Sequence, residues 1–358
     1  MMKIAVVRSL SPKAVRVISS KLILGLASDG FIVKPIDLRG GMLFSSFMDD
    51  FLKIYELNKY DIILYTGSIA RISSIILRGK ISGIFIHGFV LDEVKNTISY
   101  RDIRTGLSVL FLFTWWKTIN MSLFKPNFYI CHSKTSCKFN LIPESKCVIL
   151  PQFVLPIEVE IFKKIRSTII DSTIDSNNKY LKIVTYRSFA ISPRLLSSSV
   201  FMYIVKRVAS CVNKNVVFYI IDPAVRYENV QQFGRVKVIM KSFMRRADFL
   251  KLLALSDLYI ERCIDEELGL GSIEAGLLRV PVAKITHPQF KMYQDYTEDE
   301  VLVESSVSRF ADLLCEYLNN IEKYKDYYSN RYHDFILDKR SWDHVKKPLI
   351  EKLNYLKA

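Results

Sequence analysis

The sequence predicts an α/β protein made of two halves, each with a parallel β-sheet and flanking helices. One observation is a series of short β-rich runs separated by longer stretches with helical periodicity: KIAVV, FIVKPIDL, DIILYTG, GIFIHG and NFYICHS. A second such series follows a polar segment: LKIVTY, VVFYIID, VKVIM, DLYIE and VPVAKI. Alternation of this kind is typical of βα units on a parallel sheet. With 358 residues, 50% of them hydrophobic, the chain has enough apolar material for two cores.

The polar segment between the two series gives the predicted domain boundaries. Residues 1–155 are predicted to form a first Rossmann-like domain and residues 180–340 a second one. Residues 156–179, which end in DSTIDSNNK, are predicted to be a linker or edge segment. A C-terminal helix at 341–358 is expected to pack back on the first domain. Because ligands bind beyond the carboxyl ends of the strands in such sheets, the site is expected in a cleft between the domains.

Positive charge is concentrated in the first half of the chain. The formal net charge is +15; residues 1–150 contain 20 Lys/Arg against 10 Asp/Glu, and residues 151–358 contain 31 against 26. This balance favours anionic partners such as phosphorylated ligands or acidic lipid surfaces, although a solubilising surface explains it equally well. The sequence contains no recognisable nucleic-acid-binding motif, which argues against nucleic acid as a partner.

The six cysteines contain no CxxC pair and no clustered Cys/His ligand spacing. Zinc is therefore not expected, and reduced, mostly buried thiols are predicted. The N-terminus MMKIAVV enters a strand pattern without the features of a signal peptide, which predicts a cytoplasmic location.

The most apolar stretch, residues 105–124, has a continuous apolar run that is too short to span a bilayer. Its Trp115, Trp116 and Lys117 would suit the surface of an anionic membrane, and a core helix is the alternative.

The run EELGLGSIEAGLLRVPV, residues 266–282, follows an apolar strand pattern and leads into an Ala/Leu-rich stretch, so it predicts a glycine turn between a strand and a helix. Gly269 and Gly271 would let the backbone approach a ligand, and a helix N-terminus binds anions such as phosphate. Glu266 and Glu274 could then accept hydrogen bonds from sugar or ribose hydroxyls. For Glu274, a carboxylate favoured by the helix dipole is the alternative.

This run resembles the E-x7-E signature of retaining glycosyltransferases of the GT-B fold, particularly family four. The matching residues are Glu266, Gly269, Glu274, Ala275, Pro281 and Val282. Other landmarks follow in the family's order, including NFYICHSKTSCKFNLIPESKCVILPQFV and the Ser-Trp pair at 341–342. The resemblance implies an α/β fold with two Rossmann-like domains facing a cleft, the GT-B type.

The resemblance also implies roles for individual residues around the donor. Glu266 would contact the sugar hydroxyls and Glu274 the ribose hydroxyls. The backbone of four residues would line the sugar and phosphate, namely Leu268, Gly269, Leu270 and Gly271.

Three further residues are assigned by position. Arg187 matches a diphosphate-binding arginine, and Arg194 is the nearest base to the place of a usual lysine, which Ser192 occupies here. His87 corresponds to a histidine beside the reacting sugar. Solvated loop charges and a structural strand-end histidine are the alternatives.

The chain departs from the family at two places. RSLSPKA replaces the glycine-rich loop after the first strand, and Arg279 replaces the glycine five positions after the second glutamate.

The resemblance implies transfer of a sugar from a nucleotide-diphosphate donor to a hydroxyl of a glycan, lipid-linked or protein acceptor. The configuration at the anomeric carbon would be retained. The catalytic candidates are Glu266, Arg187 and His87. Arginines and a helix N-terminus would stabilise the leaving diphosphate without a metal, so no cofactor is expected. The alternatives are a nucleotide-sugar epimerase or phosphorylase-like enzyme of the same fold, or a non-catalytic basic protein that binds nucleic acid or membranes.

Overall fold

The protein is described by a computed structural model that covers residues 1–9, 13–38, 53, 55–66, 81–86, 126–140, 142–171, 180–186, 198–222, 228–242, 244–262 and 267–357. The chain divides into two compact units. The first unit contains residues 1–151 and 345–358, and the second contains residues 152–344.

The first unit has a six-stranded, fully parallel sheet with the order β2-β1-β3-β4-β5-β6. Its strands are β1 (Lys3–Ser9), β2 (Ile32–Leu38), β3 (Ile62–Thr66), β4 (Ile81–Ile86), β5 (Phe128–Cys131) and β6 (Cys147–Ile149). Helices α1 (Lys13–Ser28) and α2 (Lys134–Phe139) follow β1 and β5. The chain moves outward from β1 to β2 and then crosses to β3, which is the flavodoxin-like strand order of a doubly wound α/β sheet.

The C-terminal helix Lys347–Lys357 belongs to the first unit, where it packs on β6. Leu349 and Leu353 on this helix are fully buried. Just before the helix, Lys346 Nζ lies 2.6 Å from Asp29 Oδ1 at the end of α1. The unit boundaries fall after residues 151 and 344, so residues 341–344 lie in the second unit.

The second unit has a seven-stranded sheet with the order β13-β12-β11-β7-β8-β10-β9, parallel except for β9. Its strands are β7 (Leu181–Tyr186), β8 (Val216–Ile221), β9 (Asn229–Phe233), β10 (Val236–Lys241), β11 (Leu258–Glu261), β12 (Val282–Ile285) and β13 (Leu302–Glu304). Its helices are α3 (Pro156–Asp171), α4 (Ser198–Cys211), α5 (Arg246–Ala254), α6 (Leu270–Leu277), α7 (Pro288–Lys291), α8 (Val307–Asn319), α9 (Ile321–Lys339) and α10 (Trp342–Val345). All ten strands predicted from the sequence are present, which confirms the α/β fold with parallel sheets.

Helix α3, Pro156–Asp171, occupies most of the segment predicted to be a linker or edge segment. Pro156 suits a first helical position, and the Glu158 carboxylate accepts a hydrogen bond from the Leu155 amide at 2.9 Å. On the inner face of the helix, Phe162 is buried in the core of the second unit with Val159 and Ile165 beside it. The polar end of the predicted linker, residues 172–179, lies outside the described residues.

The cysteines also differ from the prediction of reduced thiols. Cys137 of α2 is bonded to Cys147 of β6, and Cys211 of α4 to Cys315 of α8. The separations of 10 and 104 residues gave no local signal, because each pair joins different elements of the fold. Cys131 is a buried thiol whose pKa burial raises to about 12, so it is protonated near neutral pH.

Among the helices that the structure describes, none is long and apolar enough to cross a membrane. The Trp-containing stretch 105–124 lies outside the described ranges.

Candidate functional site

The candidate site lies where two neighbouring strands of the second sheet, β7 and β11, end. From β7 the chain continues to β8 and β10 on one side, and from β11 it continues to β12 and β13 on the other. The direction of winding therefore reverses between β7 and β11. Ligands of open α/β sheets bind beyond the carboxyl ends of the strands at such a point. The last residues of the two strands are Tyr186 and Glu261.

Glu261 organises the N-terminus of α6. Its carboxylate is 2% exposed, and one of its oxygens accepts hydrogen bonds from the Gly269 amide at 3.0 Å and the Ser272 hydroxyl at 2.7 Å. A helix N-terminus stabilises a carboxylate through its dipole and its free amide groups. The Gly269 amide therefore donates to a protein carboxylate in this structure.

The two glycines of the turn are required by neighbouring side chains of β11. A Cβ atom at Gly269 would lie 2.7 Å from Glu261 Oε2, and one at Gly271 would collide with the Tyr259 hydroxyl. The sequence predicts close approach of a ligand as the reason for both glycines. Internal packing alone disfavours a larger residue at either position, because the end of a buried side chain would have to shift.

Glu274 lies in α6 and is held by a residue that the sequence analysis missed. Its carboxylate is 7% exposed and forms a two-pronged ion pair with Arg246 at the start of α5; one N–O distance is 2.7 Å. The Arg246 side chain is 58% exposed, so it reaches the carboxylate from the solvent side. A bidentate guanidinium contact fixes the orientation of a carboxylate.

This ion pair lies close to the end of β7. Burial raises the pKa of Tyr186, while the positive charge of Arg246 lowers it and the negative charge of Glu274 raises it. The Tyr186 ring packs against Phe249 of α5 with 5.0 Å between centroids. A phenol, a carboxylate and a guanidinium are thus collected at the point where the winding of the sheet reverses.

Two buried cations support the turn. Lys284 on β12 is fully buried, and its ammonium group donates a hydrogen bond to the Glu267 carbonyl. Arg262, 1% exposed, follows β11 and has its guanidinium 6.0 Å from the centre of the Phe201 ring. A charged residue within or directly after an apolar strand run, as in LYIER and VAKI, is the sequence signal that could have identified these positions and Glu261.

Helix α9 holds α6 in place through two hydrogen bonds. His333 Nδ1 donates to the Gly276 carbonyl at 2.9 Å, and the Tyr332 hydroxyl donates to the Ser272 carbonyl at 3.1 Å. Burial lowers the pKa of His333.

The Leu268 side chain is 1% exposed and belongs to the same core, so Leu268 and Gly269 offer backbone rather than apolar side chains to a ligand. Leu270 and Gly271 form the first turn of α6 and are partly exposed.

Four predicted site residues lie outside the described residues: His87, Arg187, Arg194 and Glu266. Their roles stay predictions. Of the predicted set, the structure brings together Glu274 and the turn from Leu268 to Gly271, and it adds Glu261, Arg246 and Tyr186 to them.

The fold of the chain is the GT-B fold, in which many glycosyltransferases of known structure are built. The Anabaena protein HepE, solved in complex with UDP-glucose, aligns with a TM-score of 0.64 at 13% identity over 99% of this chain and 100% of its own. Sucrose-phosphate synthase from Thermosynechococcus elongatus aligns with a TM-score of 0.68 at 13% identity over 99% of each chain. The α,α-trehalose 6-phosphate synthase from Burkholderia multivorans aligns with a TM-score of 0.58 at 8% identity over 99% of each chain.

No protein-family model matches the chain, and no curated protein matches it by sequence. At these identities the likeness is one of fold.

Proposed function

We propose that the protein is a retaining glycosyltransferase that moves a sugar from a nucleotide-diphosphate donor to an acceptor hydroxyl without a metal ion. The observation that carries the proposal is the position of Glu274. Its buried carboxylate is oriented by Arg246 at the reversal point of a GT-B-fold sheet. An oriented, ionised carboxylate can accept hydrogen bonds from both hydroxyls of a ribose.

The remaining roles follow the E-x7-E resemblance. Glu266 would contact the hydroxyls of the donor sugar, and Arg187 and Arg194 would neutralise the diphosphate as it leaves. His87 would lie beside the reacting sugar, and the backbone from Leu268 to Gly271 would line the donor. Positive side chains near the phosphates would replace a metal ion in stabilising the leaving group.

The donor is proposed to be a nucleotide sugar of the kind bound by HepE, so UDP-glucose and UDP are the first probes. The acceptor would be a glycan, lipid-linked or protein hydroxyl. Glu274→Gln removes a charge-assisted hydrogen bond worth about 1.5 to 3 kcal/mol. The affinity for UDP, measured by calorimetry, should therefore fall by roughly 10- to 150-fold.

Two variants serve as controls for this experiment. Glu298→Gln removes an exposed carboxylate that pairs with Lys291 at 3.1 Å, and it should leave UDP binding unchanged. Glu266→Gln should lower kcat/KM for transfer while UDP binding stays nearly unchanged, because its proposed contact is to the sugar. Equal UDP affinity of wild type and a folded Glu274→Gln variant would overturn the assignment of Glu274.

The reaction itself is tested by product analysis with UDP-glucose and an acceptor panel. A transferred sugar with the donor's anomeric configuration supports the proposal, whereas a free epimer or a sugar phosphate would point to an epimerase or a phosphorylase. Activity that EDTA abolishes and Mn²⁺ restores would contradict the proposed independence from metal.

A further inference from the structure

Three cysteines from separate elements of the first unit meet in one place. Cys131 ends β5, Cys137 lies in α2, and Cys147 begins β6. Their three sulfur atoms lie within 4.8 Å of one another. Among the described residues, no other group of three Cys, His, Asp or Glu side chains brings its ligand atoms this close.

The topology of the sheet explains the cluster. Strands β5 and β6 are parallel neighbours in which Cys147 is opposite Tyr129 and Cys131 is opposite Ile149. Alternate residues of a strand project to the same face, so Cys131 lies on the face of Tyr129 and hence of Cys147. Helix α2 begins at Ser133, whose hydroxyl accepts from the Ser136 amide at 3.0 Å, and it returns over that face. Cys137 is thereby placed against the two strand cysteines.

The surroundings of the cluster are mainly apolar, apart from the buried Ser136 side chain, which is hydrogen-bonded to Cys131. Cys131 and Cys137 are 0% and 3% exposed and belong to a core that includes Tyr129 and Ile142, while Cys147 is partly exposed at its edge. His132 follows Cys131, but its Nδ1 lies 3.1 Å from the Leu150 carbonyl and its ring packs on Phe85. The candidate ligands are therefore the three sulfurs, with one open side at Cys147.

Thiolate sulfurs are the preferred ligands of soft and borderline cations. Zinc binds sulfur at about 2.3 Å in tetrahedral geometry, so two sulfurs on one zinc ion lie about 3.8 Å apart. To reach this spacing, Cys137 and Cys147 must separate from their disulfide and the Cys131 sulfur must move closer to them by up to about 1 Å. We propose that, when the bond between Cys137 and Cys147 is reduced, Cys131, Cys137 and Cys147 bind one Zn²⁺ ion through three thiolates. The partly exposed side at Cys147 leaves the fourth position to water.

The disulfide and the zinc ion exclude each other, because a sulfur in a disulfide has no thiolate charge to donate. A dithiol opens the bond by supplying two electrons and two protons and becomes a disulfide itself. A phosphine supplies the two electrons and becomes its oxide, with water supplying the oxygen and the two protons. Binding of Zn²⁺ then releases three protons, one from each thiol. The site would hold α2 against β5 and β6 in either state, by a covalent bond when oxidised and by the cation when reduced. None of its three residues is assigned a role in the proposed transferase site.

The test uses the full chain, reduced with a phosphine under anaerobic conditions and titrated with Co²⁺ as a spectroscopic probe for zinc. We expect one Co²⁺ ion to bind per chain and to give a thiolate-to-cobalt charge-transfer absorption band in the near ultraviolet. Zn²⁺ should displace the Co²⁺ ion and remove this band. Cys131→Ala should weaken Co²⁺ binding more than tenfold, although the other two cysteines are intact. Cys211→Ala, which alters the two-cysteine pair of the second unit, should leave the titration unchanged. Absence of the charge-transfer band, or equal losses in both variants, would overturn the proposal.

A measurement on the wild-type chain keeps the proposal testable if Cys131→Ala fails to fold. Zn²⁺ should slow alkylation of the partly exposed Cys147 in the reduced protein, whereas alkylation of the exposed Cys211 should continue at the same rate. Mass spectrometry of the peptides reads both sites. Equal alkylation of Cys147 with and without Zn²⁺ would contradict the site.

Discussion

Arg279 is the single non-glycine residue with a positive φ in the described part of the chain. Its φ is 56°, in the left-handed region, directly after the last turn of α6. The amide of Val280 donates to the Ala275 carbonyl at 2.8 Å and that of Arg279 to the Gly276 carbonyl at 3.0 Å, which is the pattern of a helix end that favours glycine. The family that the sequence resembles has glycine here, because glycine adopts a positive φ without steric strain.

Replacement of Arg279 by glycine or alanine separates backbone strain from side-chain contacts. Both changes remove the hydrogen bond from the Arg279 guanidinium to Asn330 Oδ1 at 2.6 Å, but only glycine relieves the left-handed strain. Arg279→Gly should therefore be more stable than Arg279→Ala by about 1 kcal/mol in denaturant unfolding. Equal stabilities of the two variants would show that the left-handed conformation costs nothing at this position.

At the scale of elements, helices α4 and α8 pack side by side and are joined by the bond between Cys211 and Cys315. Arg207 and Asp312 form an exposed ion pair at 3.2 Å between the same helices. The covalent link closes a segment of 104 residues, so it restricts the unfolded chain far more than the ion pair stabilises the folded one.

Loss of this link should therefore be measurable. Cys211 is exposed, so Cys211→Ala removes the bond without opening a cavity. Under oxidising conditions we expect the variant to be about 2 to 4 kcal/mol less stable than the wild type in guanidinium unfolding. With a phosphine reductant present, the two proteins should unfold at the same denaturant concentration. A wild type that is no more stable than the variant under oxidation would contradict the role of the bond.

At the scale of the whole molecule, the uneven charge remains the clearest property. The first 150 residues carry 20 Lys/Arg against 10 Asp/Glu, and residues 111–117 add the sequence FLFTWWK. We propose that these features hold the protein reversibly on an anionic membrane, where each Lys or Arg near the surface contributes about 1 kcal/mol.

Liposome flotation tests this association. The wild type should float with vesicles containing acidic lipid at low salt and be released as salt is raised, because the attraction is screened. Replacement of Trp115 and Trp116 by alanine should reduce recovery, whereas Trp342→Phe, at a buried position of the second unit, should not. Equal recovery with neutral and acidic vesicles would argue for a soluble or protein-bound acceptor.

The sequence by itself determined the α/β class and the division of the predicted strands into two series. Ten strands, the glycine turn and the helix that carries Glu274 could be predicted, because runs of apolar residues and turn residues act over a few neighbouring positions. It missed the short strands β6, β9 and β13, which have three, five and three residues and too little apolar pattern to recognise. Helix α3 was missed because the polar residues that follow it dominated the interpretation of the segment.

Only the tertiary structure decided which side chains meet. Arg246 lies 28 positions from Glu274, and Cys211 lies 104 positions from Cys315. The three cysteines of the first unit share no spacing motif and come together because two strands are neighbours and a helix returns over them. Glu261 reaches the start of α6 because β11 ends beside it. Periodicity in the sequence indicates which face of an element is buried. The partner across that face depends on the order of the strands in the sheet, and the sequence carries no local record of that order.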